Sequence, residues 1–417
     1  MNNKKIPIVM VSDKNYISQT RVAIWTMRKN LSPKAFLEIT IFCSAKLDKQ
    51  SRKRLQVLEE IFTNLKIIFY EINEQLFLGA RTTLHIPITS LYRLVIGEVI
   101  KEDKCLFLDG DILVNVDLIK LFEHDIEDYY IAGVPDAGFV LNPDKSIDHT
   151  NKYNLKMSEY INAGVMIFNL SKIRRDDLQK RFLDSVKFNY VYMDQDILNK
   201  VCKGKVKILD EKYNLINKNL RKESKVLLNN QEGYILHFAG PLKPWQNIRI
   251  RGAGDWWEWA KEALEDEEYR NMYNCAVQKT KESDWAYIIG YCMNKKSINV
   301  IGYSRIGIGV FEAIKKCNPM ANIFICDNSK EKQELSNSFL TIYSVEDLAK
   351  KQPDGIWINT SQKYHREINS QLKGIGVSTD RIITYVHKEE SYFDMLDEEY
   401  IDYELSQLKY KITGNLN

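Results

Sequence analysis

The chain lacks the features that mark disulfide-stapled and membrane-spanning proteins. Its seven cysteines are an odd number and include no C-x-x-C pair, which argues against a disulfide framework and against a zinc knuckle. No run of about 18 uncharged apolar residues occurs, so any membrane contact would be peripheral. The apolar stretch after Lys4 and Lys5 ends at Ser12-Asp13; it is too short for a signal peptide and predicts a first strand instead. We therefore expect a protein of the reducing cytoplasm.

The chain also has no excess of charge of either sign. It carries 59 basic and 56 acidic residues, for a net charge of +3, so its overall electrostatics give no case for nucleic acid as a partner. At 417 residues it is long enough for two or three domains, each with a core of its own.

Short apolar runs alternate with helical patterns over the first two thirds of the chain. The runs IPIVMVS, LEITIFCS and LKIIFYEI enclose an amphipathic stretch from Ser18 to Lys29 and a charged stretch from Asp48 to Phe62. This alternation predicts βαβ units on a mainly parallel sheet. Further strands are predicted at CLFLD, YYIAGVPD, INAGVMIFNL and YILHFAG. In open α/β sheets ligands gather at the carboxyl ends of the strands. The polar residues at these ends are Asp13, Asp109, Asp136 and His237.

The triplet Asp109-Gly110-Asp111 follows the strand predicted at CLFLD. In an extended segment residues i and i+2 point the same way, so both carboxylates could face one hard cation, and Gly110 adds no side chain that obstructs a ligand. The pair D-G is also ordinary turn chemistry. Taken alone, the triplet is interpreted equally well as a surface turn or as a divalent metal site.

Five motifs in a fixed order carry a resemblance to a known family. They are the DGD triplet, RLVIGEVI upstream of it, NAGVMIFNL from Asn162 to Leu170, DQDILN from Asp194 to Asn199, and HFAGPLKPW from His237 to Trp245. Over residues 6–260 the chain resembles glycosyltransferase family 8. The resemblance implies an α/β protein of the GT-A fold, a mainly parallel sheet flanked by helices. It also implies retaining transfer of a sugar from a nucleotide sugar.

The resemblance implies that Asp109, Asp111 and His237 hold a divalent cation, which stabilises the charge that builds on a leaving diphosphate. Two carboxylates and an imidazole suit Mn²⁺, with Mg²⁺ as the second choice. Lys243 matches the lysine that the family places on the diphosphate, and Gly240 would let backbone approach it. Without the motif, His237 would be interpreted as a core histidine and Lys243 as a solvated surface charge.

The resemblance also assigns residues to the parts of a UDP-sugar donor. In MVSDKNY the backbone at Val11 and the side chains of Asp13, Asn15 and Tyr16 match a segment that takes the uracil and ribose, although such residues are also common in turns and helix caps. Arg93 matches an arginine that reaches the sugar or the diphosphate; alternatively it lies on a helix surface. The other implied donor contacts are Asp109, Gly110, Asp136, Asn162, Ala163, Asp194 and Gln195.

Gln195 matches the residue that the family places nearest the anomeric carbon. Retention of configuration normally requires a carboxylate nucleophile beside the sugar. With an amide there instead, we expect front-side attack through a short-lived ion pair, in which the leaving phosphate accepts the proton of the acceptor. Asp194 would hold donor hydroxyls and is the alternative nucleophile.

The leading hypothesis is a metal-dependent retaining hexosyltransferase with UDP-galactose as its first donor and UDP-glucose as its second. The acceptor would be a glycan hydroxyl, on a glycoprotein such as a serine-rich adhesin or on a surface polysaccharide or lipooligosaccharide. One alternative is a glycogenin-like initiator that glucosylates itself, since 23 tyrosines supply candidate acceptors. Another is a catalytically weak member that binds glycans as a scaffold. An oxidoreductase based on the C-terminal glycines is the most remote alternative.

A second βαβ region is predicted to begin near Ser283. We predict a catalytic domain over residues 1–270, a linker over 271–284, and a smaller Rossmann-like α/β domain over 285–417 with a terminal helix from Lys388. The glycine spacing from Gly302 to Gly309, with Asp327 at the end of the next strand, departs from the G-x-G-x-x-G dinucleotide motif. The pattern therefore favours a role in acceptor binding, self-association or stability over a nucleotide site.

The tryptophans of DWWEWAKEAL resemble an aromatic segment that closes family 8 domains. We therefore expect Trp256, Trp257 and Trp259 to pack against the catalytic core, with sugar stacking or membrane contact as the alternatives.

Overall fold

The computed structural model describes residues 4–80, 87–141, 143–188, 190–216, 233–240, 243–248, 250, 252–283, 288, 291–337, 340–361 and 364–385. The chain forms two compact units, of which one comprises residues 1–245 with 249–273 and the other residues 246–248 with 274–417. The terminal helix predicted from Lys388 lies outside the described residues. Within the described ranges no helix is both long and apolar enough to cross a bilayer.

Ten strands lie in the described part of the first unit. They are β1 (Lys4–Val11), β2 (Ala35–Cys43), β3 (Leu65–Glu71), β4 (Lys104–Leu108), β5 (Ile112–Asn115), β6 (Ile131–Pro135), β7 (Ile161–Asn169), β8 (Val206–Ile208), β9 (Leu215–Ile216) and β10 (Tyr234–His237). Seven of them form a central sheet in the order β3-β2-β1-β4-β7-β6-β8, and the other three form a small sheet in the order β5-β10-β9. In the central sheet β1 to β4 pair in parallel, as β6 and β8 do, which confirms the mainly parallel sheet.

Strand β7 departs from the parallel pattern, since it runs antiparallel to both β4 and β6. All nine of its residues are buried. Val165 and Ile167 belong to an apolar cluster on one face of the sheet, and Met166 and Phe168 belong to a cluster on the other. A strand covered on both faces is apolar throughout, so its sequence does not show in which direction it runs.

Helices flank the sheet of the first unit. They are α1 (Ile17–Lys29), α2 (Lys49–Ile61), α3 (Ile96–Val99), α4 (Leu118–Phe122), α5 (Ala137–Leu141), α6 (Pro143–Lys152), α7 (Leu170–Arg175), α8 (Leu178–Ser185), α9 (Met193–Val201) and α10 (Ala253–Ala263). The next helix, α11 (Asp266–Ser283), begins in the first unit and ends in the second. Short 3₁₀ helices cover Glu74–Phe77, Ile88–Val95, Met157–Glu159 and Glu211–Asn214. The predicted stretch from Asp48 becomes α2 because the Asp48 carboxylate caps it, accepting the Ser51 N–H at 2.8 Å.

The second unit is built on a five-stranded, wholly parallel sheet in the order β13-β12-β11-β14-β15. Its strands are β11 (Ser297–Ile301), β12 (Asn322–Cys326), β13 (Ile342–Tyr343), β14 (Ile356–Asn359) and β15 (Ile382–Thr384). Its helices are α12 (Arg305–Cys317), α13 (Lys330–Gln333), α14 (Val345–Lys351) and α15 (His365–Gly374), with a 3₁₀ helix at Thr379–Arg381. Helix α11 covers most of the predicted linker 271–284. The predicted domain boundaries and the Rossmann-like designation stay predictions.

The glycine-rich loop of the second unit connects β11 to α12. Gly302 has a φ of 105°, and a Cβ on Gly307 would collide with the carbonyl oxygen of Gly302, so both positions require glycine. The Asp327 carboxylate accepts from the Tyr303 N–H at 2.8 Å and from Lys332 Nζ at 3.0 Å. Packing within the loop therefore explains why Gly302 and Gly307 are glycines and what Asp327 binds. The role of the loop in acceptor binding, self-association or stability stays a prediction.

Candidate active site

The DGD triplet connects the central sheet to the small sheet. Strand β4 ends directly before it and β5 begins directly after it. Backbone hydrogen bonds fix this turn on both sides, since the Asp109 N–H donates to Gly164 O at 2.8 Å and the Phe238 N–H donates to Asp111 O at 2.9 Å. The triplet is therefore a turn in its backbone, and the role of its carboxylates depends on what surrounds them.

Asp109, Asp111 and His237 converge at this turn. His237 Nε2 lies 3.8 Å from Asp109 Oδ2 and 3.4 Å from Asp111 Oδ1. One ligand atom from each of the three residues lies within 4.8 Å of the others. Asp111 and His237 are buried, whereas 25% of the Asp109 side chain is exposed. Two carboxylates and an imidazole at these distances could hold one divalent cation.

An amide chain sets the tautomer of His237. Asn214 Nδ2 donates to Asn162 Oδ1 at 2.9 Å, which leaves Asn214 Oδ1 facing His237 Nδ1 at 2.8 Å. Since an amide oxygen only accepts, Nδ1 carries a hydrogen. Nε2 is then the nitrogen that faces the two carboxylates, where it could coordinate a cation bound between them. The three residues therefore fit a divalent metal, with Asn214 orienting the imidazole from behind.

Lys243 supplies positive charge on the other side of Asp111. Its Nζ bonds to Asp111 Oδ2, the oxygen that does not face His237, and donates to Phe238 O at 2.7 Å. Burial disfavours the charged carboxylate, but Lys243 and His237 outweigh it and hold the pKa of Asp111 below its usual range. Asp111 is therefore ionised at neutral pH, as a metal ligand must be.

Arg93 joins the DGD turn to the start of α9. Its Nη2 bonds to Asp109 Oδ1 at 3.0 Å, and its Nε lies 3.1 Å from Asp194 Oδ2. Nη1 donates to Ala163 O at 2.5 Å, and the guanidinium lies over the Phe107 ring, 4.2 Å from its centroid. Arg93 is therefore a buried residue of the site rather than a helix-surface arginine.

The two carboxylates that share Arg93 ionise less readily than ordinary ones. Burial raises the pKa of Asp109 in spite of Arg93, and the neighbouring Asp111 adds to the rise. Burial likewise raises the pKa of Asp194 to about 6, again in spite of Arg93. One arginine between the buried Asp194 and the largely buried Asp109 does not offset the cost of both charges, whereas a cation bound at Asp109 would offset the cost there.

Asp136, Asn162 and Gln195 form a polar cluster beside Ala163. Gln195 Nε2 and Asn162 Nδ2 both donate to Asp136 Oδ2 at 3.0 Å. Gln195 Oε1 accepts from the Ala163 N–H at 3.0 Å and from Asn162 Nδ2 at 3.3 Å. The Gln195 amide is thus fixed, with its oxygen towards β7 and its nitrogen towards Asp136. Side chains that donate and accept in this way suit the hydroxyls of a sugar.

The residues predicted to bind the nucleotide lie at the end of β1, where Val11 is the last residue, and in the turn that follows it. The Asn15 N–H donates to Asp13 Oδ1 at 2.7 Å, which is ordinary turn chemistry. The Tyr16 ring packs edge-on against Trp245, with centroids 5.7 Å apart. Burial, reinforced by nearby carboxylates, raises the pKa of the Tyr16 hydroxyl well above its usual value. The part of this segment in nucleotide binding stays a prediction.

The two glycines predicted at the site differ in their local geometry. A Cβ on Gly110 would lie 3.0 Å from Thr20 Oγ1, so the contact that restricts this position comes from α1 rather than from a ligand. Gly240 has a φ of 86°, a left-handed conformation that favours glycine. Its approach to a diphosphate stays a prediction.

Sequence reasoning missed two residues of this site, Gly164 and Asn214. A Cβ on Gly164 would collide with the His237 ring and lie 2.8 Å from Asp109 Oδ2, so glycine is required where β7 passes the cluster. The signal for Gly164 was available, because it directly follows two predicted residues of the same motif. No sequence pattern indicated Asn214, since it lies outside every motif and only the tertiary structure brings it next to His237.

The tryptophan segment packs within the first unit. Trp256 and Trp257 are buried in α10, and the Trp245 and Trp256 ring centroids lie 5.0 Å apart. Trp257 Nε1 donates to Pro244 O at 3.3 Å. The predicted packing role is confirmed for Trp256 and Trp257; Trp259 is half-buried.

Comparison with known proteins identifies the family. The model described as "Glycosyl transferase family 8" matches residues 7–249, more than half of the chain. A putative glycosyltransferase of Haemophilus influenzae is 29% identical over 245 residues, which cover 57% of this chain and 72% of that protein. The lipopolysaccharide 1,3-galactosyltransferase of Salmonella typhimurium is 24% identical over 259 residues, which cover 58% and 74%.

Solved structures agree with this assignment. The galactosyltransferase LgtC, in complex with donor and acceptor sugar analogues, is 26% identical and superposes with a TM-score of 0.54, covering 64% of this chain and 100% of that one. The bifunctional glycosyltransferase WbbM is 21% identical, with a TM-score of 0.57 and coverage of 66% and 52%, and supports the fold alone. The chain therefore belongs to glycosyltransferase family 8, and its first unit has the GT-A fold.

Proposed function

We propose that this glycosyltransferase moves a hexose from a UDP-sugar to a hydroxyl of a glycan, with retention of anomeric configuration and in dependence on a divalent metal. The observation that carries the proposal is the convergence of Asp109, Asp111 and His237 with Lys243 and the Gln195 cluster in one unit. The carboxylates of Asp109 and Asp111 and the imidazole of His237 could hold a cation, and Lys243 supplies a positive charge for a diphosphate. The amides of Asn162 and Gln195 supply hydrogen-bonding groups for a sugar.

Mn²⁺ is the proposed metal and Mg²⁺ the second choice, because the ligand set combines two hard carboxylates with one imidazole. When bound, the cation would stabilise the negative charge that develops on the leaving diphosphate. Lys243 would bind the diphosphate from the other side of Asp111, and Arg93 would hold Asp109 and Asp194 in place.

The donor is proposed to extend from β1 to α9. The turn after Val11, with Asp13, Asn15 and Tyr16, would take the uridine, and the DGD turn with Gly110 would lie against the diphosphate, which Gly240 also approaches. Asp136, Asn162, Ala163, Asp194 and Gln195 would meet the hexose hydroxyls. Galactose is the first choice and glucose the second, since the relatives include a lipopolysaccharide galactosyltransferase and the solved galactosyltransferase LgtC.

Retention is proposed to follow from front-side attack of the acceptor hydroxyl on the anomeric carbon, beside the Gln195 amide, as the diphosphate leaves from the same face. An amide is a poor nucleophile, and Gln195 Oε1 already accepts two hydrogen bonds, so it would not form a bond to the anomeric carbon; its dipole would act on the positive charge there. The leaving phosphate would take the proton of the acceptor hydroxyl. Asp194 would hold donor hydroxyls; its pairing with Arg93 in a buried position makes it a poor nucleophile. Trapping of a glycosyl adduct on Asp194 would contradict this mechanism.

The acceptor is proposed to be a glycan assembled in the cytoplasm, on a glycoprotein or on a surface polysaccharide or lipooligosaccharide. A panel of UDP-galactose, UDP-glucose and UDP-N-acetylglucosamine, each with Mn²⁺, with Mg²⁺ or with a chelator, tests donor and metal together. We expect the fastest UDP release from UDP-galactose with Mn²⁺. Hexose additions to the protein itself, seen in its intact mass, would instead indicate a self-glucosylating initiator, and absence of UDP release throughout would indicate a binding scaffold.

A further inference from the structure

Asp196, the third residue of the DQD motif, is a fully buried carboxylate outside the proposed donor contacts. Its Oδ1 accepts from His149 Nε2 at 2.7 Å and from the Tyr160 hydroxyl at 2.5 Å, and its Oδ2 accepts from the Tyr192 N–H at 2.9 Å. Burial raises the pKa of Tyr160 well above its usual value, so this hydroxyl stays a donor. Three donors offset the cost of burying the carboxylate.

The turn that Asp196 closes contains a strained residue. Met193 has a φ of 37°, in the left-handed region, which is unfavourable for a residue with a side chain. Two hydrogen bonds span it, one from the Tyr192 N–H to Asp196 and one from the Gln195 N–H to Tyr192 O at 2.9 Å. Because Asp194 and Gln195 come next, the conformation of Met193 sets the direction in which both side chains leave the backbone.

His149 links this turn to helix α6. Four aromatic rings surround its imidazole with centroid distances from 5.0 to 5.9 Å and steeply inclined planes: Phe139, Tyr153, Tyr160 and Tyr192. Only 12% of the His149 side chain is exposed. This packing holds the imidazole with Nε2 directed at Asp196.

We propose that His149 is a positioning residue for sugar transfer. Acting through Asp196, it holds the strained turn at Met193 and thereby keeps the Gln195 amide on Asp136 and on the Ala163 N–H. The inference rests on the proposed function, because it assigns His149 to the placement of Gln195 at the donor sugar. A merely structural histidine would affect the stability of the fold but not the rate of the chemical step.

Two substitutions at His149 separate these roles. His149→Phe keeps an aromatic ring but removes the hydrogen bond, whereas His149→Gln places an amide N–H near the position of Nε2. We expect His149→Phe to lower kcat for UDP-galactose hydrolysis about tenfold or more, since small displacements of positioned groups are costly. Its Kd for UDP should not change, because the uridine segment follows β1. His149→Gln should recover most of the loss. Equal kcat values for wild type and His149→Phe, or no recovery in His149→Gln, would overturn the proposal.

Hydrogen exchange of the Tyr192 and Gln195 amides tests the same inference without turnover. We expect faster exchange in His149→Phe and also in Tyr160→Phe, which removes the second donor to Asp196 Oδ1 but keeps the ring stacked on Phe139 at 4.4 Å. Unchanged protection in both variants would contradict the proposal. A wild type that releases UDP from no nucleotide sugar would refute the proposed function, while the exchange rates would still decide whether His149 holds the turn of Gln195.

Discussion

Lys243 Nζ bonds to Asp111 on the carboxylate oxygen that faces away from His237. A lysine and the proposed metal would therefore share one carboxylate, and their like charges oppose each other. We expect Lys243→Met to bind Mn²⁺ about three- to tenfold more tightly in the absence of nucleotide, because a nearby positive charge is removed. The same variant should bind UDP more weakly, by a similar factor, since it loses a cation for the diphosphate.

Calorimetric titration of Mn²⁺ with and without UDP measures both effects. Lys53→Met is the matched control, because Lys53 is an exposed residue of α2. Unchanged Mn²⁺ affinity in Lys243→Met would contradict the view that Lys243 and the metal share Asp111.

Gly164 is predicted to be essential for metal binding although it offers no ligand. In Gly164→Ala the new methyl group would meet the His237 ring and Asp109 Oδ2. We expect a loss of Mn²⁺ affinity of at least about tenfold and a destabilisation of about 1–3 kcal/mol from overpacking. Gly254→Ala in α10 is the control, because a Cβ there meets nothing within 4 Å. Normal Mn²⁺ binding by Gly164→Ala would show that His237 does not need its present position.

Asn214 is predicted to act on the metal through His237. Removal of its amide in Asn214→Ala frees the imidazole to rotate and to change tautomer, so we expect Mn²⁺ affinity to fall about 10–100-fold. The control Asn64→Ala also removes a buried amide hydrogen bond, from Asn64 Nδ2 to Ala35 O at 2.8 Å, at the opposite end of the sheet. If both variants bind Mn²⁺ as the wild type does, Asn214 has no role in orienting His237.

Asp194 should make stability depend on pH. Burial raises its pKa to about 6 in the folded protein, whereas an unfolded carboxyl titrates near about 3.9. The folded state therefore binds this proton more tightly, so the contribution of Asp194 to stability is greatest below about pH 4 and is lost as the pH rises to about 6. As the pH rises between these values, the free energy of unfolding of Asp194→Asn should therefore increase by about 3 kcal/mol relative to that of the wild type. Denaturant unfolding of both proteins across the range measures the gain, and a difference independent of pH would refute it.

Much of the site was predictable because its residues lie where strands end. Asp109 follows β4, Asp136 follows β6, and His237 ends β10. Strands β4 and β6 run in the same direction and end at the same edge of the central sheet, so Asp109 and Asp136 come together there, whereas His237 reaches them from the small sheet. The bounds of α1 and α2 were predictable for a similar local reason, since amphipathic spacing and the Asp48 cap are contained in the sequence.

The rest depends on contacts between distant segments, which no local pattern reports. The antiparallel direction of β7 is hidden because both of its faces are buried. Asn214 bonds to His237, which lies 23 positions away in the sequence, and His149 bonds to Asp196, which lies 47 positions away. The local sequence around Asn214 and around His149 would predict an exposed polar residue at each position. Only the fold shows that each side chain bonds to a residue of the site.

The central claim is that a divalent metal held by Asp109, Asp111 and His237 drives the release of UDP from a sugar donor. UDP release from UDP-galactose by the wild type and by Asp111→Asn, each with Mn²⁺ and with a chelator, tests it most directly. We predict Mn²⁺-dependent release by the wild type that the chelator abolishes, and no release above background by Asp111→Asn under either condition. Full activity of Asp111→Asn, or release by the wild type that the chelator leaves unchanged, would contradict the claim.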